Sequence, residues 1–269
     1  MNTQTHHYLL GGNDLEMEAI RRLLRLRDVA VDHIHDKHLG WGARASDYRA
    51  EIAALPNNAT AVLIELENDL DPLPQRAVLL DHHGEQAGID KPTVLEQLWR
   101  LLEMPPDRWG QGEFADFPLI VANDRGYIPA MRRLGATDEQ IADIRARDRA
   151  AQGITPEQEA QAEAALQQRR GQASGRLTLV DLPHARIAPV TDRLMLGEGY
   201  RNLLVISPGE VNFSGEGGLV RQLNRNFPGG WYGGELPERG FWGVATEKHA
   251  SADVEAFLNQ TLTHNQQPA

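Results

Sequence analysis

Short apolar runs alternate with amphipathic stretches through the first half of the chain. Residues 7–10, 29–34, 61–66 and 77–80 read as strands, and residues 16–26, 46–55 and 93–102 carry apolar side chains at helical spacing. A further apolar run at 118–122 reads as another buried strand leading into Asn123-Asp124-Arg125-Gly126. This alternation predicts an α/β fold with a mostly parallel sheet and flanking helices. Two capping boxes follow, Thr137-Asp138-Glu139-Gln140 and Thr155-Pro156-Glu157-Gln158, each opening a helix. Residues 171–175, Gly-Gln-Ala-Ser-Gly, have the composition of a linker. Beyond them the pattern turns to strands at 177–182 and 202–207 and a closing helix at 251–262, around a stretch at 209–243 dense in Gly, Trp and Phe. The expected organisation is a catalytic α/β domain over 1–135, a helical connector over 136–175 and a smaller α+β C-terminal domain over 176–265.

Composition narrows the partners. With 269 residues the chain can form two modest domains. A net charge of −11, from 27 basic and 38 acidic residues, argues against a tight grip on duplex nucleic acid, which needs a basic face. A small anionic ligand held through metal ions stays compatible, because the ions bring the positive charge. No apolar stretch is long enough to span a bilayer, and the N-terminal residues show no secretory signal. There is no cysteine, so any metal must be held by His and carboxylates, and a cytoplasmic location is the expectation.

The sharpest signal is Asp81-His82-His83, which closes the run Ala77-Val78-Leu79-Leu80 and precedes Gly84. A buried strand ending this way delivers a carboxylate and two imidazoles to its carboxyl edge, where open α/β sheets bind ligands. Acids recur at other predicted strand ends. Glu16 and Glu18 open the helix after the first strand, Glu65 follows Ala61-Val62-Leu63-Ile64, and Asp124 follows Leu119-Ile120-Val121-Ala122. Residues two apart on a helix do not share a face, but at a helix entrance both glutamates can turn toward one ion pair. This donor set suits two Mn2+ or Mg2+ ions, which can clamp a phosphate and activate a water.

On these residues the sequence resembles the DHH phosphoesterase family. Asp81-His82-His83 is that family's triplet, the segment from Gly11 to Ile20 matches its first motif in length and flanks, and Glu65 and Asp124 stand where it has lone aspartates. The resemblance implies an N-terminal catalytic domain with two metal ions, a helical connector and a C-terminal substrate domain. It implies that Glu16, Glu18, Glu65, Asp81, His82 and Asp124 bind metal, with His83 on the scissile phosphate. Family members include single-strand exonucleases, oligoribonucleases, cyclic dinucleotide phosphodiesterases and family II inorganic pyrophosphatases. The chain departs from the pattern at Gly12, where the family has a metal-ligating His, and at Glu16, Glu18 and Glu65, where it has Asp. Asp14 is a substitute for the missing His, and Glu67 or Asp69 for Glu65. In the C-terminal part, a helix at 218–226 would lead into a loop carrying Gly229, Gly230, Gly233 and Gly234, similar to the family's glycine-rich substrate loop but without its His. Arg221, Arg225 and Arg239 are candidates for substrate phosphates, and Trp231 and Tyr232 for stacking a base.

Two function classes remain. One is a metal-dependent phosphoesterase acting on a small nucleotide or short single-stranded oligonucleotide, with Asp81, His82 and His83 catalytic. The other is a degenerate relative that binds a nucleotide or partner without hydrolysing it. A homodimer is compatible with either. The segment His33-Ile34-His35-Asp36-Lys37-His38 approaches the ligand cluster of metallo-β-lactamase-like hydrolases, but Lys37 stands where that cluster needs a carboxylate. It is expected to form a polar loop on the catalytic edge.

Overall fold

The computed structural model describes residues 5–40, 42–74, 76–82, 91–234 and 236–264. The chain forms two compact units, Met1–Gly153 and Ile154–Ala269.

The first unit runs β1 (Thr5–Gly12), α1 (Leu15–Leu26), β2 (Ile34–Leu39), α2 (Arg49–Ala54), β3 (Ala59–Ile64), β4 (Ala77–Leu80), α3 (Val94–Leu101), α4 (Phe117–Arg133) and α5 (Asp138–Ala151). Its sheet has the order β2-β1-β3-β4, and every pairing is parallel. Alternation sends Leu9, Ala61 and Leu63 to one face, where Ala45, Tyr48 and Ile52 cover them. The opposite set, including Tyr8, Leu10, Val62 and Ile64, is also buried, as a sheet covered on both faces requires. Helix α1 packs against α3, α4 and α5 through a stripe that includes Met17, Ile20, Leu23 and Leu24. The register of β1 with β2 shifts between Leu10 and Gly12, and the Tyr48 hydroxyl fills the gap. It donates to the Leu10 carbonyl (2.6 Å) and accepts from the Lys37 amide (3.0 Å).

The second unit runs α6 (Pro156–Gln167), β5 (Arg170–Gln172), β6 (Leu177–Asp181), α7 (Ala188–Leu196), β7 (Leu203–Ser207), β8 (Glu210–Glu216), α8 (Gly217–Asn226), β9 (Trp231–Gly233), β10 (Arg239–Ala245) and α9 (Ser251–His264). Its sheet has the order β5-β6-β7-β8-β10-β9, with only β6 and β7 parallel. One face packs Val180, Leu203 and Val205 against α6 and α7. The other packs Leu204, Phe213 and Trp242 against Leu219 and Leu223 of α8 and Leu258 of α9.

The α/β class, the parallel sheet and the flanking helices follow the expectation; four segments differ from it. The second strand is 34–39, not 29–34, because the polar run from His35 to His38 forms an edge strand rather than a loop. The run at 118–122 is helical. It lies inside α4, where Pro118 sits in the first turn and Phe117, Ile120 and Val121 face the core. The expected linker at 171–175 is a hairpin: β5 pairs antiparallel with β6, and Ala173, Ser174 and Gly175 turn the chain with positive φ. Last, α5 packs within the first unit and α6 within the second, so the chain divides between them.

Candidate metal centre

Three parallel strands and two helix starts converge at the carboxyl edge of the first sheet. Strand β3 ends at Ile64, and the next residue, Glu65, takes φ +50°. Its amide donates to the Leu80 carbonyl (2.9 Å), which ties the exit of β3 to that of β4 just before Asp81 and His82. Gly11 of β1 makes room for this turn: a Cβ there would lie 2.2 Å from the Glu65 carbonyl oxygen. Asp14 caps α1 by accepting the Met17 amide (2.8 Å), and Glu16 follows in the first turn. The Glu16 carboxylate also accepts the Leu95 amide at the start of α3 (2.9 Å), where a helix N-terminus favours negative charge.

The result is a buried cluster. Donor atoms of Glu16, Glu65 and His82 lie within 4.8 Å of one another. His82 Nε2 is 3.9 Å from Glu16 Oε2, 3.7 Å from Glu65 Oε1 and 2.8 Å from Asp124 Oδ2. Glu16 is 1% exposed and His82 8%. Glu16 Oε2 and Glu65 Oε1 are buried and accept no protein hydrogen bond among the described residues. Burying such oxygens without a donor costs several kcal/mol, so a cation is the group that fits them.

The electrostatics agree. Burial, then repulsion by Asp124, pushes the Glu16 carboxyl well above its ordinary value. Burial, then Glu16, Asp14, Asp124 and Asp81, does the same to Glu65. Asp124 is pushed up to about 8 by burial and then by Asp14. Acids that resist ionising side by side become good ligands once a divalent ion offsets their repulsion. Carboxylates with one imidazole are a donor set for Mn2+ or Mg2+.

Buried groups outside the cluster hold it in place. Arg145 of α5 donates to Asn123 (2.8 Å), the neighbour of Asp124, and to Asp148 (2.6 Å). Asp148 accepts the Leu15 amide next to Glu16 (3.2 Å). The Arg145 guanidinium also lies over the Tyr127 ring, 4.3 Å from its centre. Tyr127 has φ +60° and breaks α4 one turn after Asp124.

Glu16, Glu65, His82 and Asp124 are therefore brought together. Glu18 is not: its side chain, 44% exposed, pairs with Arg21 (2.8 Å), because two helical positions carry it round to the other side of α1. Glu67 pairs with Arg44 on the surface, and Asp69 accepts from Ser46. Asp81 and Asp14 reach the cluster through their charge. His83 and Gly84 lie outside the described residues. Residues 33–38 do not form a loop on this edge. Asp36 binds Arg21 (2.6 Å), while His33 and His35 stand at the far end of β2. Leu95, Asn123, Arg145 and Asp148 were not singled out from the sequence. The capping logic at Thr137 located α5 but not what it touches.

In the second unit, Arg221 and Arg225 are exposed on α8. Arg239 stacks on Tyr200 (5.4 Å to the ring centre) and donates to the Arg201 carbonyl (3.1 Å). The loop glycines have packing reasons. A Cβ on Gly230 would lie 2.0 Å from the Gly243 carbonyl oxygen, and Gly229 and Gly234 have positive φ. Gly233 lies under the ring of Phe241 and Gly243 under that of Trp231, their cross-strand partners. The two rings share one face of the β9–β10 pair and remain 42% and 47% exposed at Trp231 and Phe241.

No helix among the described residues is long and apolar enough to cross a membrane. Neither a protein-family model nor a curated protein matches the chain. Solved structures do. The exonuclease RecJ bound to manganese aligns over 100% of this chain and 92% of its own, at a TM-score of 0.52 and 12% identity. RecJ from Thermus thermophilus in complex with Mn2+ aligns over 98% of this chain at a TM-score of 0.50 and 12% identity. This chain spans 53% of the Thermus protein's length. At that identity the likeness establishes a shared fold: the chain is folded like RecJ.

Proposed function

We propose that this chain is a divalent-metal-dependent phosphoesterase that cleaves a phosphodiester in a small nucleotide or short single-stranded oligonucleotide. The observation that carries the reading is the buried meeting of Glu16, Glu65 and His82, with Asp124 against His82. The shared fold with manganese-bound RecJ supports it.

Glu16, Glu65, His82 and Asp124 would hold Mn2+ or Mg2+, with Asp14 and Asp81 as further acids for a second ion. Bound ions would supply the positive charge that a phosphodiester needs and would acidify water. The chain's own groups prepare that chemistry. The Leu95 amide and the start of α3 orient the Glu16 carboxylate, and burial excludes bulk water from the cluster. The first unit is the catalytic domain in this reading. In this reading the second unit recognises substrate, with Trp231 and Phe241 stacking bases and Arg221 or Arg239 meeting phosphates, and His83 keeps the role on the scissile phosphate that the family resemblance implies.

The outward turn of Glu18 and the absence of a His at Gly12 favour a second reading, a binding protein that no longer hydrolyses. Hydrolysis of a generic phosphodiester and a panel of linear and cyclic nucleotides, with Mn2+ or Mg2+, separates the two. Turnover that needs the metal and disappears in His82→Ala supports the enzyme. Nucleotide binding without turnover supports the second reading.

A further inference from the structure

Three histidines gather at the amino edge of the first sheet, the end remote from Glu16. From His7 to Gly12 strand β1 covers about 16 Å, so this group and the carboxyl-edge cluster are separate. His7 Nδ1 lies 3.2 Å from His35 Nε2. The two rings are near parallel, 5.4 Å apart at 25°. The pairing follows from the strands. His35 is registered with Leu9, so His35 and His7 project from the same face of adjacent parallel strands. The ring of His33 packs on that of His7, with centres 4.5 Å apart.

We infer that His7, His35 and His33 form a second metal site, selective for an imidazole-preferring ion of the Zn2+, Co2+ and Ni2+ class. Two nitrogens that bind one tetrahedral ion at about 2.05 Å must stand about 3.3 Å apart, which is close to the separation already present between His7 and His35. His33, whose ring packs on that of His7, would complete the set once its ring turned a nitrogen toward the pair. Glu51 is the carboxylate whose charge acts most on His35, and its oxygens are a candidate fourth donor. Glu51 of α2 gives one oxygen to Lys37 (2.7 Å), while its buried Oε2 accepts no hydrogen bond among the described residues. The Glu51 charge is felt at His35. Burial lowers the affinity of both His7 and His35 for protons, which leaves lone pairs for a metal. Imidazole-rich donors separate this site from the carboxylate cluster in metal preference. An ion here would clamp the start of β2 to β1, at the edge of the sheet.

Co2+ titration followed by visible absorption tests the inference. The whole chain carrying Glu65→Gln and His82→Ala is used, so that the carboxyl-edge cluster cannot contribute. One equivalent of Co2+ with the intense bands of a tetrahedral site is expected, displaced by Zn2+. Adding His35→Ala should abolish the bands, whereas His6→Ala, on the other face of β1, should leave them unchanged. Circular dichroism of each variant establishes that the fold is kept. Absence of the bands in the starting protein, or bands that persist in His35→Ala, would overturn the assignment.

Discussion

Gly11 and Glu65 touch backbone to backbone: a Cβ on Gly11 would stand 2.2 Å from the Glu65 carbonyl oxygen. The contact lets the chain turn at Glu65 with φ +50° and bring its carboxylate back over the sheet edge. Gly11→Ala should therefore act on the metal centre without touching a ligand. We expect a loss of about 1–3 kcal/mol in stability from overpacking and a clear fall in Mn2+ affinity. Urea unfolding and calorimetric titration check the two effects. Unchanged Mn2+ affinity in a folded variant would separate Gly11 from the site.

The carboxyl cluster should make the metal-free protein less stable as pH rises. Burial, then the neighbouring acids, raises Glu16 and Glu65 well above their ordinary values and Asp124 to about 8. In the unfolded chain these acids ionise at about pH 4. Between that pH and the raised values the folded chain holds more protons, so raising the pH favours unfolding. Asp124→Asn and Glu65→Gln remove the ionisation, and with a chelator present they should stabilise the protein more at mildly alkaline pH than at mildly acidic pH. In Mn2+ the order should reverse, with wild type the most stable. Thermal unfolding across pH measures both. Parallel pH profiles for wild type and variants would show that these acids carry no buried repulsion.

Arg145 links the helices that carry the site. It is 4% exposed and binds Asn123 and Asp148, the neighbours through which α4 and α1 are held. Arg145→Ala leaves Asp148 buried without its main cation and should cost about 3–5 kcal/mol. The double variant Arg145→Ala, Asp148→Asn should recover part of that loss. Chemical denaturation of Arg145→Ala, Asp148→Asn and the double variant gives the coupling. Additive losses would mean that the pair does not act as a unit.

Trp231 and Phe241 form a two-ring face in the second unit, each seated on a cross-strand glycine. If bases stack there, Trp231→Ala should weaken binding of a short oligonucleotide by about 1–3 kcal/mol. Hydrolysis of a small phosphodiester without a base should be unaffected. Equal losses on both substrates would point to a structural role for the ring.

Much of this was legible in the chain. The runs ending at Ile64 and Leu80 read as buried strands; β3 is buried throughout, while β4 is an edge strand with Leu79 exposed, and the polar residues after them, Glu65, Asp81 and His82, emerge at one edge. The capping boxes at Thr137 and Thr155 gave the starts of α5 and α6. The apolar run before Asp124 was ambiguous because four or five apolar residues fit a buried strand and a buried helix equally. Asp124 still reaches the site, but from inside a helix. The strand from Ile34 to Leu39 was hidden by its polar residues, which an edge position tolerates. Glu16 and Glu18 differ in helical phase, and the apolar spacing tells them apart: Glu16 lies one and two turns before the buried Ile20, Leu23 and Leu24, whereas Glu18 falls on the side of Arg21 and Arg25, so the expectation of both as ligands overlooks a legible signal. Arg145 and Asp148 make an ordinary (i, i+3) pair in the sequence, and their link to the site left no trace because the partners that make it, Asn123 and Leu15, are more than 20 residues away.

Under the proposed function Glu16, Glu65, His82 and Asp124 enclose a catalytic divalent metal. Anomalous diffraction at the manganese edge from crystals grown with Mn2+ tests it most directly. Anomalous density is expected between Glu16 Oε2, Glu65 Oε1 and His82 Nε2, and none there in His82→Ala. A wild-type crystal saturated with Mn2+ that shows no density at that point would contradict it.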